Sequence, residues 1–576
     1  MLISIVRKKL SLKKDKRVFF AEQEICWFKG YYFFENKLYN GKNAANHIIS
    51  NFKKNTLNKF LPQFNGIFSA VIINKNKLSL KIINDRIAPI KLFYYFNQNS
   101  IFISDDIYRI KQKINSPKLN IESIIEFLHF RFVSGKYTLF DKIYCTTPSQ
   151  IIDVSLYREN IKIIKSRYWD YSFNIKDYNI EEAEKKCFEI LNSTIEKFNN
   201  QMFKNNKVAL NLSGGFDSRA ILGLLLQKKI NKLNLFTFGH PDCEDIIYTN
   251  KIQKQFALNA NIVSSLKIYD QLFNEKLIHS LTSKIGHQCY YFQGYITGLF
   301  NNEYTNYDYL ITGDVGFTTG LLIDKKIEAI KNDDQLFHNI SKRNKHLSTV
   351  QISKLLNVSI SPSEISKIII DRAKESIGAI KNYKLQYFKW YQENRLRKYA
   401  LSTFDLYSKY TNVVYPYFDH NFHDFMFSVP TSIRMNQRVF LNTMSKFIFK
   451  NELKSLSRIP YQGRGEYILN NENDYVPKKL NFKNKLQNQF SFLSKNHRLK
   501  NLHPLSFLWK HKKKKYLKNI NNIINFNSEI LKPNSTKKII EQNKNKHMFI
   551  QYGLLIILSL LTFEKINQDC QKPTNK

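Results

Sequence analysis

Two folded regions in tandem are what this sequence predicts: a sheet-rich α+β region over residues 1–175, then an α/β region over 176–576 that begins with a parallel sheet and ends in mostly helical chain. Three observations carry that reading. Short β-type runs alternate with turns in the front region, the hydrophobic period changes to a helical one near residue 180, and from residue 207 strand-like and helix-like runs alternate at βαβ spacing. At 576 residues the chain is also longer than one hydrophobic core usually serves.

Taken in order, the opening "MLISIVRKKLSLKKDKR" has too short an apolar run, and charges on the wrong side, for a secretory signal. "FNGIFSAVIINKNKLSLKIINDR" reads as a hairpin around Asn74, Lys75 and Asn76, and "KLFYYFNQNSIFISDD" as another around residues 97–100. In "IKDYNIEEAEKKCFEILNSTIEKF", Ala183, Cys187, Ile190, Thr194 and Phe198 share one helical face, which places the boundary near residue 175. Then come a strand over 208–212, a Gly-Gly turn, a helix, a strand over 232–239, a helix over 244–256 and a strand over 260–265. Ligands on such sheets bind beyond the C-terminal ends of the strands, where the Gly-Gly turn falls. "YDYLITGDVGFTTG" (307–320) ends in a second Gly and Asp turn, expected to close the same pocket. The apolar stretch 548–563 is shorter than the ~20 residues needed to span a bilayer and contains Gln551 and Ser559, so it reads as a core helix.

The formal net charge of +42 would ordinarily suggest a polyanionic partner. Here Lys, Asn and Ile crowd the whole length and form no single basic stripe, which argues against nucleic acid or a membrane surface; the cluster over 509–518 is the exception. Six scattered cysteines without a CxxC pair argue against a zinc site or a disulfide framework and suit a reducing cytoplasm.

The chemistry concentrates in "KVALNLSGGFDSRAILGLLL" (207–226). Gly214 and Gly215 let the backbone bend and approach a ligand where a Cβ would intrude, and Asp217, Ser218 and Arg219 fall at the opening of the following helix. A helix N-terminus there offers free N–H groups and a positive dipole end. The bend reads as an anion cradle, suited to a phosphate chain. Asp and Ser at its end are not needed for bending alone.

Ser213 through Ser218 (SGGFDS) resemble the SGGxDS pyrophosphate loop of the asparagine synthetase superfamily and its PP-loop relatives. Segments in the expected order extend the likeness over about residues 60–450: "FNGIFSAVI", "NDRIAPIKLFYY", "IFISDD", "YTLFDKIYCTTPSQ" and "YWD" in the front region, then "LFTFG", "LITGDVG" and "VVYPYFDHNFHDFMFSVP". The resemblance implies an Ntn-hydrolase-like αββα sandwich of the glutamine amidotransferase kind over 1–175. Over 176–576 it implies a PP-loop, adenine nucleotide α hydrolase-like ATPase. Its activity would be adenylation of a carboxylate by ATP, release of pyrophosphate, and transfer of the acyl group to ammonia or an amine.

Carried over residue by residue, Ser213, Gly214, Gly215 and Ser218 would hold the departing phosphates, and Asp217 the Mg2+. Adenine would rest against the backbone of Asn211 and Phe238, with Gly313 beneath the ribose and α-phosphate. Asp314 is the candidate base for the amine's proton, and Arg219 a partner for phosphate or carboxylate. For Asp314 a turn or helix cap is the bland alternative. Asp242, Glu244 and Asp245 read as first-turn caps, Asp419 as a cap or tether, and His287 as either a pocket residue or a core histidine.

Two departures bear on activity. Glutamine-dependent members of the family open Met-Cys-Gly, whereas this chain opens Met1-Leu2-Ile3, and leucine cannot attack a carboxamide. Cys26 reads as core, so the front region is expected to be a glutaminase in fold only. Phe317 stands where many relatives have an Asp that supports magnesium, which leaves the second metal ligand open. The family's downstream lysine is missing, and "SRIPYQGRG" offers Arg458 and Arg464; Arg464 is the candidate, although an arginine does not titrate as a lysine does. The expected substrates are a small-molecule, peptide or sugar carboxylate and an amine, and a homodimer stays open. A PP-loop RNA-modifying enzyme and a catalytically impaired nucleotide-binding protein are the alternatives.

Overall fold

The computed structural model describes residues 1–230, 233–264, 301–453, 467–469, 475–477 and 528–536, apart from short breaks at 7–8, 13–14, 115–116, 158–159, 240, 242–243, 315–317, 321–323 and 452, with single residues beyond. Within the front region, a pair of antiparallel sheets shares a core. One runs in the spatial order Tyr144–Cys145, Phe93–Phe96, Ser100–Ser104, Leu2–Val6, Lys9–Leu12. The other has seven strands, Asn160–Arg167, Gln150–Tyr157, Ser79–Asn84, Asn65–Asn74, Glu24–Phe34 and Val18–Ala21, with Lys37–Asn40 also on Glu24–Phe34.

Side-chain alternation sorts the layers, because successive residues of a strand point to opposite faces. Along Glu24–Phe34, Ile25, Trp27, Tyr31 and Phe33 pack into the main core together with Ile3, Ile5, Ile101 and Ile103 of the other sheet. Cys26, Phe28, Tyr32 and Phe34 face the opposite way, into a separate cluster with Ala44, Ala45, Ile48 and Ile49 of the helix Gly41–Lys53. Both expected hairpins form, as Asn65–Asn74 with Ser79–Asn84 and as Phe93–Phe96 with Ser100–Ser104.

The helix Ile180–Phe198 starts on a capping box, Asn179 with Glu182, which satisfies two backbone donors at its exposed end. Its buried face includes Ala183, Cys187, Thr194 and Phe198, the last set edge-on to Tyr31 at 6.1 Å. That contact continues the front core into the α/β region.

There a five-stranded sheet runs Asn259–Ser264, Leu233–Gly239, Val208–Asn211, Tyr309–Thr312, Asn412–Val414, every pair parallel. In order along the chain this is 3-2-1-4-5. The direction of winding therefore reverses between Val208–Asn211 and Tyr309–Thr312, and such a reversal opens a crevice at the strand C-termini. The fifth strand was not expected: three residues are too few to show a period. Helices such as Asp333–Asn344, Pro362–Ile377 and His420–Ser428 make up most of the rest. Of the apolar stretch 548–563, Ile557, Leu560 and Leu561 are described, and all are buried in the main core. Among the described residues no helix is long and apolar enough to cross a membrane. The basic cluster over 509–518 lies outside the described residues.

Candidate functional site

Two turns meet at the crevice. The first follows Asn211 and leads through Ser213, Gly214 and Gly215 into the helix Phe216–Gln227; the second follows Thr312 and carries Gly313 and Asp314. Asn211 and Thr312 are register partners on adjacent strands, so both turns start at the same level. Gly313 makes their contact possible. A Cβ there would lie 2.7 Å from the Ser218 backbone nitrogen and 2.8 Å from the Ser218 Cα, so no other residue lets the second turn press against the helix start. The Tyr417 hydroxyl donates to the Asp217 carbonyl at 2.8 Å and pins the same helix start from a third element.

Within the bend the backbone donors already have partners. The Ser213 N–H donates to Ser218 Oγ at 3.1 Å, the Gly215 N–H to Ser213 Oγ at 3.2 Å, and the Gly214 N–H to Asp245 Oδ1 at 2.6 Å. Two of these acceptors are hydroxyls of the bend itself. The third is a carboxylate brought in from the helix Glu244–Phe256.

Electrostatics single out Asp217 and Asp314. Loss of water pushes the Asp217 carboxyl up to about 7, the nearby Asp314 adds to the rise, and Arg219 opposes it. Asp314 is an exposed residue whose carboxyl still loses water to the surrounding protein. That setting raises its carboxyl too, against the Thr312 hydroxyl, which donates to Oδ2 at 2.7 Å. Two raised carboxyls, Asp217 lifted further by Asp314, are a fit for a divalent cation, whose charge would oppose both shifts. Among the described residues no group of three or more His, Cys, Asp or Glu could hold a metal. One carboxylate, that of Asp217, can anchor Mg2+, which takes its remaining ligands from phosphates and water. A further opening for a ligand is Asn211: its Oδ1 is buried without a hydrogen-bond partner among the described residues.

The structure thus brings together Asn211, Ser213, Gly214, Gly215, Asp217, Ser218, Gly313 and Asp314, with Phe238 half-buried near the end of the adjoining strand. Arg219 is fully buried, with Nε donating to the Gly215 carbonyl at 3.3 Å and its guanidinium over the Phe216 ring at 4.4 Å, and its charge is near enough to Asp217 to lower that carboxyl. Asp314 opens no described helix, and its charge is felt at Asp217. Asp419 both caps His420–Ser428, accepting from the Asn421 N–H at 3.0 Å, and ties Asn65 and Lys197 to that helix at 3.0 and 2.5 Å. Asp245, read as a helix-dipole cap, reaches across to the bend; only the pairing of neighbouring strands could have announced that. Arg464, Arg458, Phe317, His287 and Asp242 lie outside the described residues, as does the side chain of Glu244.

A separate cavity of about 710 Å³ lies at the seam of the two regions, with Arg17, Lys29, Lys91, Asp105 and Asp405 in its lining. Several of its charges are mutually paired, Arg17 with Asp15 at 2.7 Å and Lys91 with Asp405 at 2.5 Å. Both cysteines of the front region, Cys26 and Cys145, are buried, and burial holds the Cys26 thiol far above its ordinary range.

The family model described as a glutamine amidotransferase domain matches residues 33–169. A protein of Methanocaldococcus jannaschii named "Putative asparagine synthetase (glutamine-hydrolyzing) 2" is 22% identical over 189 residues. That match covers 31% of this chain and 34% of the relative, so the chain spans about a third of that relative's length. Two solved structures are similar at low level. An allosteric regulatory enzyme of purine biosynthesis shares 6% identity and a TM-score of 0.19, covering 44% of this chain and 62% of its own. The glutamine phosphoribosylpyrophosphate amidotransferase of B. subtilis, complexed with ADP and GMP, shares 8% and a TM-score of 0.18, covering 43% of this chain and 48% of its own.

Proposed function

The front of this chain is a glutamine amidotransferase domain of the asparagine synthetase superfamily, and on that premise we propose that the whole is an ATP-dependent, AMP-forming amide-bond synthetase. One observation carries the reading. At the point where the parallel sheet reverses its winding, a Gly-Gly bend, a helix N-terminus and two raised carboxyls converge beside a buried Asn211 oxygen that has no hydrogen-bond partner among the described residues. This is the equipment for a nucleotide with a divalent cation.

In the proposed reaction a substrate carboxylate oxygen attacks the α-phosphorus of ATP, the bond from that phosphorus to the β-bridging oxygen breaks, and pyrophosphate leaves. An amine then attacks the acyl carbon, AMP leaves, and the amine gives up a proton. Ser213, Gly214, Gly215 and Ser218 hold the β and γ phosphates, whose charge grows as the bond breaks; preorganised donors of this kind are typically worth about 3–4 kcal/mol each. Asn211 Oδ1 accepts from the base, and the Phe238 region flanks it. Asp217 would hold Mg2+, which supplies charge neutralisation for the leaving pyrophosphate. Asp314 takes the amine's proton, and the burial that raises its carboxyl makes it a stronger base than an ordinary aspartate. With Cys26 and Cys145 both buried, nitrogen enters as free ammonia or on a substrate amine.

The test is ATP–pyrophosphate exchange with Mg2+ and a panel of carboxylates. Exchange that depends on one carboxylate and vanishes in Asp217→Asn is the expected result. Exchange that survives in Asp217→Asn, or that requires RNA, overturns the assignment.

A further inference from the structure

The contact between Asp245 and Gly214 has no place in the proposed reaction. The Asp245 carboxylate oxygen sits 2.6 Å from the Gly214 backbone nitrogen in the cradle assigned to phosphate, the separation of a charge-assisted hydrogen bond, and this contact favours the charged form against the burial that raises the carboxyl. Asp245 is held there from two sides. It stands in the first turn of Glu244–Phe256, where the helix dipole favours a negative charge, and a Cβ on Gly214 would meet Tyr248 Cδ2 at 2.8 Å and Asp245 Oδ1 at 3.3 Å. That helix is therefore packed directly on the bend, and only the absent side chain of Gly214 leaves room. The other two bend donors turn to neutral hydroxyls, which a phosphate can displace or retain without charge conflict. Asp245 alone puts an anion where an anion must bind.

Resting on the nucleotide reading above, we propose that Asp245 is a built-in competitor for the phosphate chain: it holds the Gly214 N–H while the site is empty and yields it when a polyphosphate with its cation enters. The cradle is then never left with an unpaired donor, and ligands of low phosphate charge, or polyphosphates without a cation, fail to displace the side chain. Asp245 thereby sets which nucleotides the bend accepts. It is a specificity-determining group that makes no bond with the reacting atoms.

Substitution by asparagine separates this role from a structural one. Asn keeps a neutral oxygen able to accept from Gly214, so a residue that merely fixes the bend predicts equal or weaker nucleotide binding in Asp245→Asn. Competition predicts the opposite. Titration calorimetry on the full chain with ATP, ADP, AMP and adenosine, each with and without Mg2+, should show ATP without Mg2+ binding about tenfold tighter in Asp245→Asn, as expected when a like charge beside the ligand is removed. The gain should shrink through ADP and AMP to nothing for adenosine. Asp245→Ala, which loses the acceptor but also the charge, should show the same ranking, with unfolding midpoints reported for both variants. If the wild type binds ATP and neither variant gains affinity, or the gain is the same for adenosine, the competition is overturned while the nucleotide reading stands. If neither wild type nor variants bind any of the four ligands, both fall together.

Discussion

Replacing Gly313 by alanine tests the meeting of the two turns more sharply than removing any charge. The added Cβ would stand 2.7 Å from the Ser218 nitrogen, 2.8 Å from the Ser218 Cα and 3.1 Å from the Asp217 carbonyl carbon. All three are backbone atoms at the start of a helix pinned by Tyr417, so none can swing aside as a long side chain would. Ordinary contact begins near 3.4 Å, so the turns must separate by roughly 0.7 Å, and overpacking of this kind costs about 1–3 kcal/mol. The functional loss should exceed the stability loss. Mg2+ accepts oxygen ligands only within a narrow range near 2.0–2.1 Å, and a misplacement approaching 1 Å can cost about a hundredfold in rate. Gly313→Ala should therefore fold, with a midpoint lowered by a few degrees, yet show pyrophosphate exchange reduced about a hundredfold and weaker Mg-ATP binding by calorimetry. A folded Gly313→Ala protein with wild-type exchange would refute the claim that the two turns form one site.

Other outcomes follow from the same geometry. Below pH 7, Mg2+ must displace the proton that the raised Asp217 carboxyl holds, so Mg-ATP affinity should climb up to about tenfold per pH unit and level off above about 7, as read by calorimetry from pH 5.5 to 8.5. Because the folded-state value lies above the ordinary 3.8, ionised Asp217 costs the empty protein stability, a cost that grows as pH rises from that range through about 7; chemical denaturation should show Asp217→Asn flattening this slope. Asp419→Ala removes a helix cap and strands the Lys197 ammonium in a largely buried site, for an expected loss of about 3 kcal/mol in urea unfolding with little change in nucleotide affinity once folded. If exchange activity is found, product formation should respond to ammonium or an amine and not to glutamine; detectable glutaminase activity would contradict the account of Cys26 and Cys145.

Much of the architecture was legible along the chain because it rests on local regularities. The alternation in Glu24–Phe34 and Asn65–Asn74 is a period of two written into the residues, and the face of Ile180–Phe198 is a period of 3.6. The bend at Ser213–Ser218 was visible for a similar reason: glycines and a helix-opening Asp-Ser are local requirements that consecutive residues must meet. The strand Asn412–Val414 was not visible, since three residues carry no period and its partner lies about a hundred positions upstream.

By itself, then, the sequence determined the hairpins of the front region, the strand order that builds a parallel sheet, and a glycine bend with Asp217 at its end. Only the tertiary structure decided that Asp314 stands close enough to Asp217 to raise it, that Arg219 is buried with its Nε on the Gly215 carbonyl, and that Asp245 rather than solvent holds the Gly214 N–H. The division has one physical cause. Hydrogen bonding and hydrophobic period act between neighbours in the chain, whereas charge coupling and the fit of Gly313 against Ser218 depend on distances across the sheet, which exist only once the strands are side by side.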